Sequence, residues 1–422
     1  MGMEDEYEKL IRRLYPPRVV ADNNSCQDAT VIRVDSVNKH GTLLQVVQVL
    51  ADMNLVIKKA YISSDGGWFM DVFYVTDYHG SKIKDREVIN YIKETIESDG
   101  PFTSYLGESV GVMPTEEYTS IELTGTDRPG LLSEVCAVLK SLSCNVVSAE
   151  IWTHNARAAA IVHVTDYSTG CAIDDPKRLL TIKKLLCNVL KVNSDCKMVQ
   201  TRLSPPGAMH KGRRLHQIMF DDRDYERMER RYVTVSDCAE KDYTVLTIRS
   251  KERPKLLFDI VCTLTDMQYV VFHGTVTTGR TDAYQEFYIR HTDGRRINSQ
   301  AEGERIVQCL EAAIERRANE GLELELCTDD HFGLLTEITR IFRENGLSIR
   351  RAEISTKSGK AKDTFYVTDV AGNPVDPRIM EFIQQEIGQT ILQVKQNPYH
   401  LQNPSQQNTM SFLLGKIFKY RS

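Results

Sequence analysis

Long apolar runs are absent from this sequence. No stretch approaches the roughly 18 residues that a membrane helix requires, and the opening residues MGMEDEYEKL lack the basic-then-apolar order of a secretory signal. We therefore expect a soluble, intracellular protein without a membrane partner. The expected compartment is the cytoplasm, with the nucleus as an alternative.

Metal-binding and disulfide patterns are also missing. The ten cysteines contain no CxxC pair, and the ten histidines do not fall at metal-ligand spacings. Several cysteines occupy apolar positions of helix-like segments. The sequence therefore predicts reduced cysteines in the core, no bound metal and no cofactor.

A strong charge of one sign is lacking too. The sequence holds 53 Lys and Arg against 58 Asp and Glu, a net charge of −5, which offers no positive field for a phosphate backbone. An RNA-recognition module would also need a Lys/Arg-Gly-aromatic run on its central strands, and no segment supplies one. Nucleic acid is therefore not an expected partner.

Several common catalytic motifs do not occur. The sequence contains no HExxH, GxxxxGKS/T or GxGxxG. The acidic residues Asp221, Asp222 and Asp224 lie within a run of alternating charge, which is typical of a solvated helix face. We expect no catalytic residues and a protein that is not an enzyme.

A fourfold internal repeat is what the sequence does contain. A double leucine follows a polar turn at four places, and its second residue is Leu44, Leu132, Leu257 or Leu335. A small residue lies 16 positions after Leu44 and 17 positions after each of the other three. Landmarks of the YVTD type end 33 positions after Leu44 and 34 after the others. The 422-residue chain therefore contains four homologous units, and the first carries a one-residue deletion.

Each unit combines strand-like and helix-like periodicities. Leu322, Leu324 and Leu326 alternate with glutamates, as in a half-buried strand. Apolar residues recur every three or four positions from Leu132 to Leu142, as in an amphipathic helix. Two short runs joined by a turn, a second helix and a last strand follow. The order βαββαβ predicts an α+β fold of four ferredoxin-like units, in which two helices cover a four-stranded antiparallel sheet.

The landmarks also give the predicted domain boundaries. These are an N-terminal segment (1–27), unit 1 (28–112), unit 2 (118–203), a linker with a charged helix in its second half (204–242), unit 3 (243–319), unit 4 (320–397) and a C-terminal tail (398–422). Since the connections within each half are short, unit 1 is predicted to pair with unit 2, and unit 3 with unit 4. Unit 3 leaves no room for its fourth strand, so residues 231–235 are predicted to supply it from upstream.

The loop between the first strand and first helix of each unit carries the clearest binding signal. In unit 2 it is GTDRPGLL, whose glycine lets a ligand approach the backbone and whose helix start offers unpaired N–H groups. Such a site suits an anion, for example an amino-acid carboxylate. A chain also needs this glycine simply to turn into the helix, so both interpretations stay open.

The DRPGLL motif, the spacing after it and the repeated βαββαβ plan resemble the ACT domain, a regulatory amino-acid-binding module, over about three-quarters of the chain. The segments EDEYEKLIRRLYPPRVV near the start and AYISSDGGWFMDVFYVTD at 60–77 are similar to the plant ACT-domain-repeat (ACR) family. This resemblance implies units that pair side by side into extended antiparallel sheets. It also implies that ligand binds between the loop of one unit and the neighbouring unit.

The resemblance implies specific ligand-binding residues. Unit 2 matches the motif best, whereas unit 3 departs from it because Lys255 stands in place of the glycine. The implied amino-acid-binding residues are Asp127, Arg128, Gly130, Leu131 and Asn145 in unit 2, Asp330 and Gly333 in unit 4, and Asn38 and Gly41 in unit 1.

The function implied by the resemblance is that of a non-enzymatic amino-acid sensor with a regulated protein partner. A homo-oligomer formed through ACT pairing is a further implied association. The alternative is a ligand-free ACT-repeat scaffold that regulates a partner. Bacterial uridylyltransferases carry ACT repeats behind a catalytic head with Gly-Ser and Asp-x-Asp signatures. Here Asp222 and Asp224 stand without the Gly-Ser strand, so that activity is not transferred.

Overall fold

The computed structural model describes residues 17–37, 40–65, 68–97, 118–190, 200–204, 210–219, 232–238, 243–279, 281–318 and 321–395. The helices in these ranges are α1 (Thr42–Asp52), α2 (Arg86–Glu97), α3 (Leu131–Ser141), α4 (Pro176–Leu190), α5 (Lys211–Met219), α6 (Leu256–Asp266), α7 (Gln300–Arg316), α8 (Leu334–Glu344) and α9 (Pro377–Ile387). Within this described part, no helix is both long enough and apolar enough to cross a membrane.

The strands alternate with these helices. They are β1 (Arg18–Asp22), β2 (Thr30–Val37), β3 (Val56–Asp65), β4 (Trp68–Thr76), β5 (Thr119–Thr126), β6 (Cys144–His154), β7 (Arg157–Asp166), β8 (Gln200–Ser204), β9 (Val233–Cys238), β10 (Tyr243–Lys251), β11 (Tyr269–Thr278), β12 (Asp282–His291), β13 (Leu322–Asp329), β14 (Leu347–Lys357), β15 (Lys360–Asp369) and β16 (Leu392–Val394). The predicted α+β, ferredoxin-like organisation is confirmed.

Units 2 and 4 follow the βαββαβ order, whereas units 1 and 3 take their edge strand from upstream. In unit 3, β9 pairs antiparallel with β10, with Val233 opposite Ile248. The predicted upstream strand is therefore confirmed, although it runs from Val233 to Cys238. In unit 1, β1 pairs with β2 in the same way. The boundary predicted at residues 27 and 28 thus separates β1 from the sheet to which it belongs.

Two eight-stranded sheets form, each from two units. Sheet A has the order β1-β2-β4-β3-β11-β12-β10-β9 and joins units 1 and 3, while sheet B has the order β16-β13-β15-β14-β6-β7-β5-β8 and joins units 4 and 2. The predicted pairing of unit 1 with 2 and of unit 3 with 4 is wrong. Connection length is a weak guide, because the entropy of closing a loop grows only slowly with its length.

The small residues that mark the repeat lie at the seam between paired units. In sheet A, Ala60 lies opposite Val276 and Gly274 lies opposite Ile62. A Cβ on Gly274 would lie 2.8 Å from Phe287 and 3.1 Å from Ile62, so a larger residue does not fit. The same small-to-branched pairing recurs in sheet B between Ala149 and Ile354 and between Ala352 and Ile151.

The segment between units 2 and 3 joins the two sheets. Its first half, expected to be a linker, contains α5, while the charged helix expected in its second half lies outside the described residues. Leu215 and Met219 of α5 pack against Trp152, Ala159 and Ile161 of sheet B. Helices α6 and α7 of unit 3 also contact α5 and β6, respectively. The helical layer of sheet A therefore packs on the face of sheet B that its own helices leave open.

The cysteine prediction is confirmed in part. Four free cysteines are buried, and burial raises the pKa of Cys136 to about 12. Cys171 and Cys327 are exposed, and Cys196 lies outside the described residues. The buried free cysteines are Cys136, Cys144, Cys262 and Cys309.

Candidate functional site

The first loop of each unit borders a pocket at the seam with its paired unit, and we call these four cavities the loop pockets. The unit 2 loop pocket has a volume of about 50 Å³. One wall is the Asp127–Leu131 loop and the other belongs to α8 and β14 of unit 4. Its lining includes Asp127, Gly130, Leu131, Ala160, Thr339, Arg343 and Leu347.

Hydrogen bonds of the backbone hold the unit 2 loop in place. The Asp127 N–H donates to the Ala156 carbonyl at 2.8 Å, and the Leu131 N–H donates to the Arg128 carbonyl at 3.1 Å. Gly130 has a φ of +79°, a conformation that side chains with a Cβ rarely adopt. Because the Leu131 N–H is already engaged, the groups that helical geometry leaves for a ligand belong to the following residues, Leu132 and Ser133.

A cation from unit 4 lies over this loop. A Cβ built on Gly130 would lie 2.7 Å from Cδ of Arg343, so this arginine covers the glycine. Asp127 lies 3.6 Å from the guanidinium of Arg350, also of unit 4. Burial raises the pKa of Asp127, and Arg350 opposes that shift. The pocket therefore places a helix start and a cation from the neighbouring unit close together.

The unit 4 loop pocket repeats this arrangement in the reverse direction. Gly333 has a φ of +89°, and a Cβ on it would clash with Lys140 of unit 2. Lys140 and Arg343 occupy equivalent positions, each ten residues after the glycine of its own unit. The pocket also contains Asp330 and Asn145. A pseudo-twofold axis therefore relates two loop pockets, each covered by a cation from the other unit.

The predicted site residues of unit 2 do not all come together. Asn145 lines the unit 4 loop pocket, across the seam from Gly333, and is absent from the described lining of the unit 2 loop pocket. The expectation that Asp127, Gly130 and Asn145 form one site is therefore wrong. The reason is that β6 reaches towards the loop of the paired unit, not its own.

Arg128 braces its own helix. Its guanidinium makes two hydrogen bonds to the Glu134 carboxylate, one of them 2.8 Å long. The equivalent pairs are Arg253 with Asp259 in unit 3 and His331 with Glu337 in unit 4. A basic residue two positions before the helix cap and an acid four positions after it are a signal readable in the sequence, although Arg128 and His331 also line the loop pockets of their units.

The loop pockets of the unit 1 and unit 3 pair differ in their polar groups. Gly41 lines the unit 1 loop pocket, whereas Asn38 lies outside the described residues. The positions equivalent to Lys140 and Arg343 are Ala51 and Thr265, which carry no charge. Ala51 lines the unit 3 loop pocket and Thr265 lines that of unit 1.

The unit 3 loop contributes to the contact between sheets. Lys255 adopts a φ of +63° in place of the expected glycine. Burial raises the pKa of Glu353 on β14, but Lys255 and Arg351 outweigh it and lower that pKa well below the usual range. The loop that departs most from the sequence motif thus places its ammonium group near Glu150 and Glu353 of sheet B.

Arg317 is the centre of this buried charge cluster. Only 1% of its side chain is exposed, and it lies 3.1 Å from Asp259 and 3.4 Å from Glu150. Its guanidinium also stacks over Trp152, 4.5 Å from the ring centre. Burial opposes ionisation of Asp259, but Arg317 and Arg253 outweigh it and lower its pKa. Charges from unit 3 and unit 2 therefore neutralise each other across the contact.

Metal chemistry receives no support from the geometry. Throughout the described ranges, no group of three His, Cys, Asp or Glu side chains is placed to hold a metal ion.

Family models match all four units. The model described as the ACR family N-terminal ACT domain matches residues 25–102, and the ACT domain model matches 119–187 and 323–388. An ACR9-like, ACT-like domain model matches 232–319. The chain belongs to the ACR family of ACT domain-containing proteins. The resemblance seen in the sequence is thereby confirmed.

Relatives within the ACR family cover the whole chain. The Arabidopsis thaliana protein named ACT domain-containing protein ACR6 is 65% identical over 99% of both chains. ACT domain-containing protein ACR4 from the same plant is 56% identical over 100% of this chain and 96% of its own. A bifunctional uridylyltransferase/uridylyl-removing enzyme from Rhodospirillum rubrum is 26% identical over 51% of this chain, but over only 22% of its own length.

Proposed function

We propose that this ACR-family protein is a non-enzymatic regulatory protein that senses an amino acid through the seam between units 2 and 4. The observation that carries the proposal is the pair of loop pockets at Gly130 and Gly333. Each joins a helix start to a cation from the other unit, Arg343 or Lys140. An amino-acid carboxylate matches both features.

The proposal gives individual groups of the unit 2 loop pocket the following roles. The ligand carboxylate accepts hydrogen bonds from the N–H groups of Leu132 and Ser133 and pairs with Arg343, which turns away from Gly130 to admit it. Asp127 lines the same pocket and faces the ligand ammonium, whose charge favours the carboxylate form against the burial that raises the pKa of this group. Ala160 and Leu347 leave room for an apolar ligand side chain.

A moderate affinity fits a sensor of metabolite pools. An amino acid has about ten heavy atoms, and about 0.4 to 0.8 kcal/mol per atom gives a Kd between millimolar and micromolar. Binding closes the seam between two units, so its regulatory effect passes to a protein partner through the relative position of units 2 and 4. We place this function in the cytoplasm.

Titration calorimetry with the twenty amino acids tests the proposal, using the full chain and two variants. Arg343→Gln removes the covering cation, and we expect it to weaken binding at least about tenfold. Arg340→Gln is the matched control, since Arg340 lies one turn earlier on α8 and pairs with Glu344 on the surface. Wild-type protein that binds none of the twenty would instead support the scaffold alternative.

A further inference from the structure

One position in each unit determines the floor of its loop pocket. It lies six residues before the end of the YVTD-type landmark and is Asp71, Ala160, Gln285 or Asp363 in units 1 to 4. Each of these side chains lines the loop pocket of its own unit. The four pockets therefore share one architecture but differ in the chemistry of the floor.

Asp71, like Gln285, is a floor group with one buried oxygen that lacks a hydrogen-bond partner among the described residues. Its side chain is fully buried, and its Oδ1 accepts a hydrogen bond from the Ser63 N–H at 3.2 Å. Among the described residues, its Oδ2 has no hydrogen-bond partner. An acceptor left unsatisfied in the interior costs free energy that a ligand with a donor group recovers.

A second unsatisfied group lines the same pocket. The hydroxyl of Ser64 is 4% exposed and likewise finds no partner within the described part of the chain. Most of the other walls are apolar, from Leu44, Ile62 and Phe69 of unit 1 and Val261 and Val271 of unit 3, while the remaining polar side chains of the lining are His40, Thr265 and Tyr269. Two polar atoms that lack a hydrogen-bond partner among the described residues thus lie in a largely apolar pocket.

We propose that the unit 1 loop pocket is a second ligand site, which takes a small molecule through a primary ammonium group bound by Asp71 and Ser64. The cavity of about 30 Å³ exceeds the roughly 10 to 15 Å³ that one water molecule requires, so it admits an ammonium group. The rest of the ligand extends towards the Gly41 loop. In this site the amine is the recognised group, whereas the unit 2 loop pocket recognises the carboxylate.

The local strand geometry supports a built site. The ladder between β3 and β4 is interrupted between two residue pairs, Tyr61–Val72 and Ser64–Phe69. In that gap the Ser63 N–H donates its hydrogen bond to the Asp71 side chain. Unit 4 repeats the feature, because Ser355 donates to Asp363 at 3.1 Å. In unit 2, which has Ala160, the corresponding hairpin runs on without this gap.

Ionisation of Asp71 provides a signature of binding. Burial raises the pKa of Asp71 to about 8, so the free site holds a proton at pH 7. An ammonium ligand requires the carboxylate, and binding therefore releases that proton. His40 and Tyr269 are the other titratable groups that line this pocket. Burial lowers the pKa of His40, and burial together with Glu302 raises that of Tyr269, so both remain neutral near pH 7.

The test compares ligands that differ in one group. Each amino acid is titrated alongside its decarboxylated amine and its 2-hydroxy acid, in buffers of different ionisation enthalpy. We expect an amine to bind wild type with release of up to about one proton at pH 7. Asp71→Asn should weaken amine binding at least about tenfold and abolish proton release. Asp28→Asn, an exposed acid of the same unit, is the matched control.

The choice of amino acids as probes rests on the proposed function. The outcomes nevertheless distinguish a failure of this second site from a failure of that function. Amine binding that survives in Arg343→Gln and disappears in Asp71→Asn supports the second site. Hydroxy-acid binding that disappears in Arg343→Gln and survives in Asp71→Asn belongs to the unit 2 loop pocket. Amine affinity and proton release that are unchanged in folded Asp71→Asn overturn the second site alone. Ser64→Ala, with a smaller loss of affinity, checks that the effect is local.

Discussion

At the scale of single residues, an acid in a core-facing strand position distinguishes the unit 1 loop pocket from the others better than the loop motif does. In β4, Phe69, Asp71, Phe73 and Val75 alternate with more exposed residues. The carboxylate of Asp71 therefore occupies a place where the strand pattern requires an apolar side chain. That conflict is visible in the sequence, and it marks the floor of the unit 1 loop pocket.

The buried carboxylates make stability depend on pH in an unusual direction. Burial raises the pKa of Asp71 to about 8 and that of Asp363 to about 7, above the unfolded value of about 3.9. At these two groups the folded state thus holds protons that the unfolded state loses, and their contribution to stability falls as pH rises from about 4 to 8. Each group contributes up to about 1.4 kcal/mol per pH unit inside its window.

Melting temperatures measured between pH 5 and 8 check this prediction. Wild type should lose stability relative to Asp71→Asn as the pH rises, because the amide of the variant does not ionise, while the buried histidines whose pKa values are lowered contribute equally to both proteins. The exposed variant Asp28→Asn should follow the wild-type slope. Equal slopes in wild type and Asp71→Asn would mean that Asp71 is already ionised in the folded protein.

A substitution at Gly130 tests whether folding and binding depend on the backbone conformation of the loop. Its φ of +79° is strained for any residue with a Cβ, and a branched side chain would also meet Arg343. We expect Gly130→Val to destabilise the fold by about 1 to 3 kcal/mol and to weaken amino-acid binding. Denaturant unfolding and calorimetry measure the two effects. A folded variant with unchanged affinity would leave Gly130 with a turn-forming role only.

At the scale of elements, residue spacing predicted the four units but not their partners. The leucine doublets and YVTD-type landmarks located the helices and hairpins, and the lack of space before Leu322 revealed the upstream strand of unit 3. The parallel case of β1 was missed, although RVVAD is a strand-like run. Pairing between units depends on contacts such as Ala60 with Val276, which periodicity within one unit does not contain.

The candidate site, like the fold, could be predicted from the sequence within one unit but not across the seam between units. Gly130, Asp127 and Gly333 could be named from the sequence because they lie in a contiguous motif, and each of them lines a loop pocket. Arg343 and Lys140 were missed because they reach the loop only across a seam between units. Each covering cation comes from a helix some 200 residues away in sequence, and no local pattern marks it.

Amide exchange tests the upstream edge strands. The N–H groups of β9 that pair with β10, between Val233 and Cys238, should be protected to the same degree as those of β8 in unit 2. β1 should show the same protection through its ladder with β2. Rapid exchange along β9 while β10 remains protected would show that β9 is not part of sheet A.

At the scale of the whole molecule, the buried charge cluster links the two sheets. Arg317 of unit 3 contacts Asp259 of its own unit and Glu150 of unit 2, so its loss leaves buried acids without their partner. We expect Arg317→Met to cost about 3 to 5 kcal/mol. In scanning calorimetry, the single transition expected for wild type should divide into two. Arg340→Met, an exposed control on α8, should melt as wild type does.

The ligand signal of the proposed function would pass through the same contact. Glu150 and Glu353 lie on neighbouring strands of sheet B, opposite each other in the β6–β14 ladder at the seam of units 2 and 4, while Lys255 and Arg317 belong to unit 3. Under the proposed function, a change at the seam would therefore reach the surface on which unit 3 rests. An Arg317→Met protein that still melts in one unchanged transition would show that the cluster does not couple the sheets.

A crystal structure of the full chain with the amino acid that binds most tightly tests the central claim most directly. The account predicts ligand density between the Gly130 loop and α8, with the carboxylate at the start of α3 and beside the Arg343 guanidinium, which has moved off Gly130. Ligand density away from the seam of units 2 and 4, with Arg343 still covering the glycine, would contradict it.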